Sequence, residues 1–274
     1  MKKYFNYLTV FSLFALFLFN TCDKIEAPYK EVVSIPTADT VRKILLEEFT
    51  GHTCTGCPGG AAVVRTLKNI YGKRLILISI HASDFAEPGT GEFSNDFRST
   101  TGNEIFTTFP PPNFPTGMVS RTRYGSADFI TDKGHWGERI DSLKNLNPKA
   151  FIKINNSYNS GSVTSTIECN ALQDLQGVYK LTAYLTEDSL VGGQDSLNSV
   201  ILHNYVFRDV LRGSLNGTWG ETLSSGDISV GTTITKIYSM ALNPSWNPDR
   251  CSVVAFISDS SNYEIIQVEE KRVK

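Results

Sequence analysis

Two cysteines separated by two residues, Cys54 and Cys57, are the residues whose types and spacing most directly suggest chemistry. They stand in the stretch FTGHTCTGCPGG, directly after an apolar run and directly before a segment with helical periodicity. Thiols at this spacing can form a reversible redox centre, supply half of a metal site, or close a static disulfide. The elements that hold the pair decide between these three roles.

The pair lies at the predicted start of a helix. In PGGAAVVRTLKNIYGK the apolar residues recur on one helical face, and Gly72 follows as a stop signal. Backbone N–H groups and the helix macrodipole stabilise negative charge at this end, so a thiol there ionises below its ordinary pKa of about 8.5. Cys54 would be the attacking thiolate, and Cys57, one turn further in, would resolve the mixed disulfide.

An acidic residue precedes the pair at the end of the strand predicted for VRKILLEEFTG. There the carboxyl of Glu48 would point beneath the dithiol, where desolvation raises its pKa and lets it accept the proton of the resolving thiol. Strand alternation sends Glu47 and Glu48 to opposite faces. The alternative is therefore that one of the two faces solvent and the other is a strand-end charge.

A structural metal site is the other alternative for the pair. Two thiolates supply half of a tetrahedral zinc site, and no second CxxC or HxxxH motif stands nearby. His52 could add a ligand or stabilise the thiolate, but a partly exposed loop histidine is the simpler interpretation, and His81 is interpreted as a strand-end residue. We expect no metal and no cofactor.

The order of elements over residues 41–148 predicts an α/β domain. RLILISIH is a continuous apolar run, typical of a central parallel strand. Residues 82–113 are irregular, with a short helix expected around residues 93–100. FPTGMVSR then predicts a strand, and TDKGHWGERIDSLKNLNP predicts a helix that Asn147-Pro148 ends. Strands alternating with helices in this way are typical of α/β proteins.

The hydrophobic period changes beyond Pro148. Short alternating runs separated by Gly, Asn, Asp and Ser predict an antiparallel β-sandwich over residues 149–274. Cys169 and Cys251 fall in separate predicted strands, and alternation points Cys169 into the core. Both a disulfide between these two cysteines and two buried free thiols fit this pattern.

The N-terminus predicts export. Lys2 and Lys3 precede a short, mainly apolar run that is too short and too polar to be interpreted first as a spanning helix. Residues 1–21 are therefore predicted to be a signal peptide, and Cys22 the lipidated cysteine of a bacterial lipoprotein, with ordinary cleavage as the alternative. Residues 22–40 would form a polar tether that holds the folded part off a membrane.

The charge of the chain excludes one class of partner. Its 274 residues carry 26 Lys and Arg against 28 Asp and Glu, a formal net charge of −2. Phosphate binding needs clustered cations that this sequence does not show, so we expect no nucleic-acid partner. The moderate charge and plentiful aromatic residues indicate a folded globular protein.

The stretch LLEEFTGHTCTGCP, followed later by Phe114-Pro115-Thr116, resembles the strand, CxxC helix and cis-proline element of the thioredoxin superfamily. The resemblance covers about residues 41–148. Glu48 matches the superfamily's buried acidic position, with Glu in place of the more familiar Asp. The resemblance also implies that Pro115 is cis, lies across from the dithiol and docks the substrate backbone.

A second resemblance covers nearly the whole mature chain. The lipoprotein-like start and the segments EEFTGHTCTGCP, HNYVFRDVLRGSLNGTWGE and VVAFISDSSNYEIIQV resemble the twenty-eight-kilodalton outer membrane protein family of the Bacteroides group. This implies an outer membrane lipoprotein, facing the periplasm or the cell surface. It also implies a thioredoxin-like domain over residues 41–148 and a C-terminal sandwich of immunoglobulin type over residues 149–274.

Two functions follow as expectations. The first is a lipid-anchored thiol-disulfide oxidoreductase that acts on protein thiols, with Cys54, Cys57, Glu48 and Pro115 as its site. The second is a surface binding or structural lipoprotein that contacts another surface protein and uses its CxxC as a static disulfide. The redox behaviour of the thiol pair separates them.

Overall fold

The computed structural model describes residues 41–123 and 128–274. The predicted signal peptide, Cys22 and the tether lie outside the described residues. Among the described residues, no helix has the length and apolar character needed to cross a bilayer.

The elements before residue 149 alternate between strands and helices, as the sequence predicts. In chain order they are β1 (Ile44–Thr50), α1 (Cys57–Tyr71), β2 (Leu75–His81), α2 (Thr100–Thr108), β3 (Thr116–Val119), β4 (Ile130–Asp132) and α3 (Trp136–Lys144). Strands β1 and β2 are parallel neighbours, β3 pairs with β1 in the antiparallel sense, and β4 pairs with β3. The CxxC motif therefore joins the end of a central strand to the start of a helix.

The helix expected around residues 93–100 lies further along the chain, so that prediction was wrong in position. A short 3₁₀ turn spans Gly91–Phe93, and α2 begins only at Thr100. The side chain of Ser99 caps this helix, because its hydroxyl accepts the Gly102 N–H at 3.0 Å. The irregular segment is thus ordered by short turns and one capped helix.

The elements after residue 149 are almost all strands. They are β5 (Ala150–Asn159), β6 (Ser162–Ala171), β7 (Tyr179–Glu187), β8 (Leu190–Ser196), β9 (Val200–Phe207), β10 (Val210–Ser214), β11 (Glu221–Thr222), β12 (Thr233–Ala241), β13 (Cys251–Asp259) and β14 (Ile265–Arg272). The fold is therefore of mixed α/β class and consists mostly of strands. Alternating burial along β5 and β6 matches the alternating sequence.

The described strands form three sheets. The largest has nine strands in the order β14-β13-β7-β10-β2-β1-β3-β4, with β11 paired to β7. A three-stranded sheet has the order β12-β6-β5, and β8 and β9 form a separate two-stranded arm. Strand β10 joins β2 through the pair Val210 and Ser79, so strands from both sides of residue 149 share one sheet.

Hydrophobic clusters lie on both faces of the large sheet. On one face of β1, Ile44 and Leu46 pack with α1 and α3; on the other, Leu45 and Phe49 pack with α2, β7 and β13. A third cluster lies between β5, β6 and β12 on one side and β7 and β13 on the other. Buried apolar area of this kind, at roughly 25 cal/mol per Å², is the main stabilising contribution to such a fold.

Cys169 and Cys251 are free, buried thiols in this third cluster. Cys169 lies on β6 of the three-stranded sheet, and Cys251 begins β13 of the large sheet. No disulfide joins them, which corrects the bonded alternative left open by the sequence. Burial raises the pKa of each thiol to about 12, so both are inert at neutral pH.

Candidate active site

Cys54 and Cys57 form a disulfide, with their Cα atoms 5.4 Å apart. Helix α1 begins at Cys57, its first turn contains no acidic residue, and no side chain caps it. The Cys57 N–H instead donates to the carbonyl of Cys54 at 3.2 Å. The positive end of the helix dipole is therefore directed at the sulfur pair without a compensating carboxylate, which favours a thiolate once the bond is reduced.

Glu48 lies against the first turn of α1 and lines the same cavity as Cys57. The side chain is buried, and its Oε1 atom has no hydrogen-bond partner among the described residues. Burial raises the pKa of Glu48 to about 8, although the positive charges of Arg65 and Lys133 act in the opposite direction. The carboxyl is thus mainly protonated at neutral pH and can exchange a proton with a thiol of similar pKa.

Pro115 stands against both the CxxC turn and Glu48. The Phe114–Pro115 peptide is cis, as the resemblance to the thioredoxin superfamily implies. A Cβ atom on Gly60 would lie 2.6 Å from Glu48 Oε1 and 2.8 Å from Pro115 Cβ. Only a glycine at position 60 lets the first turn of α1, the carboxyl and the proline pack together. The structure therefore brings the four predicted site residues to one place.

The outer side of the disulfide is covered. Cys54 is 3% exposed and Cys57 is 2% exposed. The side-chain amide of Gln194, on β8, donates to the carbonyl of Cys54 at 3.0 Å and to that of Gly51 at 3.3 Å. The N–H of Asp195 donates to the carbonyl of His52 at 2.8 Å. The β8–β9 arm therefore closes over the loop that carries Cys54.

Gln194 was not predicted from the sequence, although the glycines beside it are a local signal for close packing. Gly192 and Gly193 directly precede it, and adjacent glycines inside a strand indicate a close approach of another backbone. A Cβ atom on Gly193 would lie 2.8 Å from Cβ of Glu92. The glycine pair lets β8 lie tightly on the segment that follows β2.

The two histidines near the site, His52 and His81, are buried among aromatic side chains. His52 is buried, not partly exposed as expected, because residues 84–97 fold over it and its Nε2 contacts the Glu87 carbonyl at 2.8 Å. His81 ends β2 as predicted and lies between the rings of Phe97 and Phe207. Burial lowers the pKa of His81 to about 3, so its ring is neutral. Within the described residues no group of three or more His, Cys, Asp or Glu is placed to hold a metal ion.

Glu47 is paired on the opposite face of β1. Its carboxylate accepts two hydrogen bonds from Arg121, at 2.8 Å and 2.6 Å, and both side chains are almost fully buried. The guanidinium also lies over the ring of Phe256, 5.2 Å from its centroid. The solvent-facing or strand-end role weighed for the two glutamates is therefore wrong for Glu47.

A cavity of about 90 Å³ lies behind the disulfide, between α1, β2 and the end of β9. Cys57, Glu48 and Ser79 line it, whereas Cys54 does not. A cleft of about 620 Å³ shares Arg65, Lys68, Arg208 and Asp209 with this cavity. Cys57 therefore lines a small cavity that adjoins a cleft, and Cys54 does not. Gln194 and the end of β9 form part of the wall of this cavity.

Comparison with known proteins places the chain by family and by fold. Residues 107–274 match the family described as "Outer membrane protein Omp28". This stretch begins after the dithiol. No curated protein matches the chain. Among solved structures, HBP35 of Porphyromonas gingivalis is similar at a TM-score of 0.66 and 19% identity, over 85% of this chain and 76% of that one.

Two further structures are similar. A protein of Agrobacterium tumefaciens has a TM-score of 0.51 and 11% identity, over 86% of this chain and 97% of that one. A domain of the outer membrane lipoprotein Omp28 from Porphyromonas gingivalis has a TM-score of 0.34 and 22% identity, over 46% of this chain and 88% of that one. The family match covers more than half of the chain, and the chain therefore belongs to the Omp28 family of outer membrane proteins.

Proposed function

We propose that this outer membrane protein is anchored through lipid on Cys22 and carries out thiol-disulfide exchange at Cys54 and Cys57. In this proposal residues 41–148 form a thioredoxin-like domain and residues 149–274 an immunoglobulin-like sandwich. The parallel β1–α1–β2 unit with Pro115 beside the CxxC turn supports the first domain. The cluster shared by the three-stranded sheet with β7 and β13 supports the second.

The observation that carries the redox proposal is the buried carboxyl of Glu48, which lines the same cavity as Cys57 and whose Oε1 atom has no hydrogen-bond partner among the described residues. A buried polar atom without a hydrogen bond costs about 1–3 kcal/mol. A static disulfide gains nothing from such a group, whereas a resolving thiol needs a proton acceptor of matched pKa. The proposal gives Glu48 that role.

In this proposal the exchange proceeds through a mixed disulfide in two steps. The Cys54 thiolate attacks one sulfur of a protein disulfide and releases the other as a thiolate, which gives a mixed disulfide. Cys57 transfers its proton to the ionised form of Glu48 and attacks the Cys54 sulfur, which releases the second substrate thiolate. The site is left oxidised, the substrate is left reduced by two electrons, and Pro115 positions the substrate backbone.

The second candidate is a surface-binding protein whose disulfide is static. The cover over Cys54, held by the Gln194 amide, favours it. A closed loop of four residues contributes about 2 kcal/mol or less to stability in the chain-entropy description, so the bond would be a weak staple. The measured redox potential decides between the two candidates.

The test equilibrates purified protein in glutathione buffers and measures alkylation of Cys54 against pH. Exchange predicts a reduction potential above about −250 mV and a Cys54 thiol pKa near 7 or below. A pair that stays oxidised below about −300 mV, with an ordinary thiol pKa, would establish the static disulfide instead. The buried thiols of Cys169 and Cys251 serve as an internal control, because they should stay unmodified while the protein is folded.

A further inference from the structure

The two cysteines of the disulfide differ in their surroundings, although both are buried. On the outer side, the β8–β9 arm covers Cys54 through the bonds of Gln194. Cys57, in contrast, lines a cavity of about 90 Å³ whose wall includes Gln194 and the end of β9. One water needs about 10–15 Å³ by this measure, so the cavity has room for a few heavy atoms. A thiol on a two-carbon arm has three heavy atoms, so the cavity matches the head of a small thiol better than a protein segment.

The cavity is polar where it meets the sulfur. Glu48 lines it, and the Oε1 atom of this buried carboxyl has no hydrogen-bond partner among the described residues. At neutral pH the carboxyl is mainly protonated, because burial raises its pKa to about 8. A protonated acid next to Cys57 can accept a hydrogen bond from an incoming thiol or donate a proton to a departing sulfur.

The mouth of the cavity is positively charged. Three cations and one carboxylate line both the cavity and the outer cleft: Arg65, Lys68, Arg208 and Asp209. Lys68 is held in place because its Nζ donates to the Leu75 carbonyl at 2.7 Å, and Arg208 pairs with Asp188 at 3.3 Å. Further into the cleft, Lys271 and Arg272 add two positive charges, and Asp188 and Glu270 add two acidic side chains. Five cationic residues therefore line the cleft against three acidic ones. A negatively charged small molecule is therefore favoured at this mouth.

We propose that a low-molecular-weight thiol carrying a carboxylate or sulfonate reduces the disulfide through this cleft, by attack on the sulfur of Cys57. The inference rests on the proposed function, since it names the small reductant for the same dithiol. Its anionic end binds among Arg65, Lys68 and Arg208, and its thiol end enters the cavity beside Glu48.

The chemistry balances with two molecules of the thiol. The thiolate of the first attacks Cys57 Sγ, the Cys54–Cys57 bond breaks, and Cys54 leaves as a thiolate stabilised at the start of α1. A second thiolate attacks the small-molecule sulfur of the mixed disulfide and releases Cys57, which takes the proton of Glu48. Cys54 takes a proton from solvent, and solvent reprotonates Glu48. The products are two protein thiols and one small-molecule disulfide.

The test compares three thiols on the oxidised protein: anionic 2-mercaptoethanesulfonate, neutral 2-mercaptoethanol and cationic cysteamine. Reduction is followed by acid quench, alkylation and intact mass, and each rate is divided by the rate of the same thiol on uncharged bis(3-hydroxypropyl) disulfide, which contains none of the three thiols. This removes differences in thiolate fraction and nucleophilicity. The normalised rate of the anionic thiol should exceed that of the cationic thiol by about tenfold at low salt.

Matched variants locate the effect. The R65Q/R208Q variant should lose most of the preference for the anionic thiol. The K153Q/K236Q variant, which removes the same charge from the three-stranded sheet, should keep it. Equal normalised rates for the three thiols, or a preference that survives in R65Q/R208Q, would overturn the proposal while leaving exchange itself intact. Failure of every thiol to reduce the bond would instead overturn the proposed function.

Single-cysteine variants test the attacked sulfur. C54S leaves Cys57 as a reporter, C57S leaves Cys54, and each is treated with the anionic disulfide bis(2-sulfonatoethyl) disulfide and with cystamine. The preference for the anionic reagent should appear at Cys57 and be absent at Cys54. A preference confined to Cys54 would show that small thiols arrive from the covered side, which contradicts the route.

Discussion

Glu47 and Glu48 are neighbours on β1, and both are buried, yet the fold treats them in opposite ways. Glu47 accepts two hydrogen bonds from Arg121, and this guanidinium lies over the ring of Phe256. Glu48 lies under the disulfide with an unpartnered oxygen and a pKa raised to about 8 by burial. One carboxyl is paired with a guanidinium, and the other is held mainly as a neutral acid at pH 7.

The difference indicates that the carboxyl of Glu47 stabilises the fold, whereas the carboxyl of Glu48 is available for proton transfer. A buried carboxylate with two charge-assisted hydrogen bonds is satisfied, and it joins β1 to the segment after β3. A buried carboxyl without that pairing destabilises the fold but keeps a proton that can move near neutral pH. The face of β1 turned toward α1 therefore carries a carboxyl that can titrate near neutral pH, and the carboxyl on the opposite face is paired with Arg121.

The largest effect expected from this contrast is a dependence of the free energy of unfolding on pH that is caused by the titration of Glu48. The folded protein holds a proton that the unfolded chain releases above its pKa of 4.5, so stability falls as pH rises from about 4.5 to about 8. At about 1.4 kcal/mol per pH unit, the fall is roughly 4–5 kcal/mol. Urea unfolding of the oxidised protein from pH 4 to pH 9 measures it.

Glu48→Gln should abolish this contribution, because glutamine does not titrate. The difference in unfolding free energy between the wild type and this variant therefore isolates Glu48 from other titrating groups. Glu138→Gln, at an exposed position of α3, is the matched control and should keep the wild-type slope. An identical pH profile in Glu48→Gln and the wild type would show that Glu48 is ionised when folded.

Removal of the ion pair between Glu47 and Arg121 should have a slightly smaller effect on the free energy of unfolding. Arg121→Met leaves Glu47 as an uncompensated buried charge and should lower the free energy of unfolding by roughly 3–5 kcal/mol at pH 7. The double variant Arg121→Met/Glu47→Leu should recover most of the loss, since it buries no charge. Arg98→Met, which removes the surface pairs with Asp96 and Glu87, should change stability by about 1 kcal/mol or less. An equal loss of unfolding free energy in the single and the double variant would show that the unpaired charge of Glu47 is not what destabilises Arg121→Met.

The dithiol and Glu48 were predictable because their signals are local. The apolar run of β1, the CxxC motif and the periodicity of α1 lie within one short stretch, and strand alternation alone separates Glu47 from Glu48. Helix α3 was likewise predicted from the spacing of Trp136, Ile140 and Leu143, all of which are buried. Local periodicity was sufficient to predict an element and its buried residues wherever the environment of those residues depended on that element alone.

The partners of these residues were not predictable, because they depend on pairing between distant strands. Arg121 is 74 residues from Glu47, and Gln194 is 140 residues from Cys54. The β2–β10 pairing that connects the two halves of the chain rests on Val210 and Ser79 and leaves no periodic signal. The sequence therefore located the reactive residues but did not show which of them are paired and which are covered.

The smallest expected effect concerns the β8–β9 arm over Cys54. The question is how often this arm opens in the folded protein. Gln194→Ala removes the amide bonds to Gly51 and Cys54, which contribute about 1 kcal/mol to holding the arm closed. The open state of the β8–β9 arm should become about five times more populated, and alkylation of Cys54 in the reduced protein should accelerate by the same factor. Gln173→Ala, at an exposed position, is the control and should leave the rate unchanged. An unchanged alkylation rate in Gln194→Ala would mean that the arm does not limit the access of reagents to Cys54.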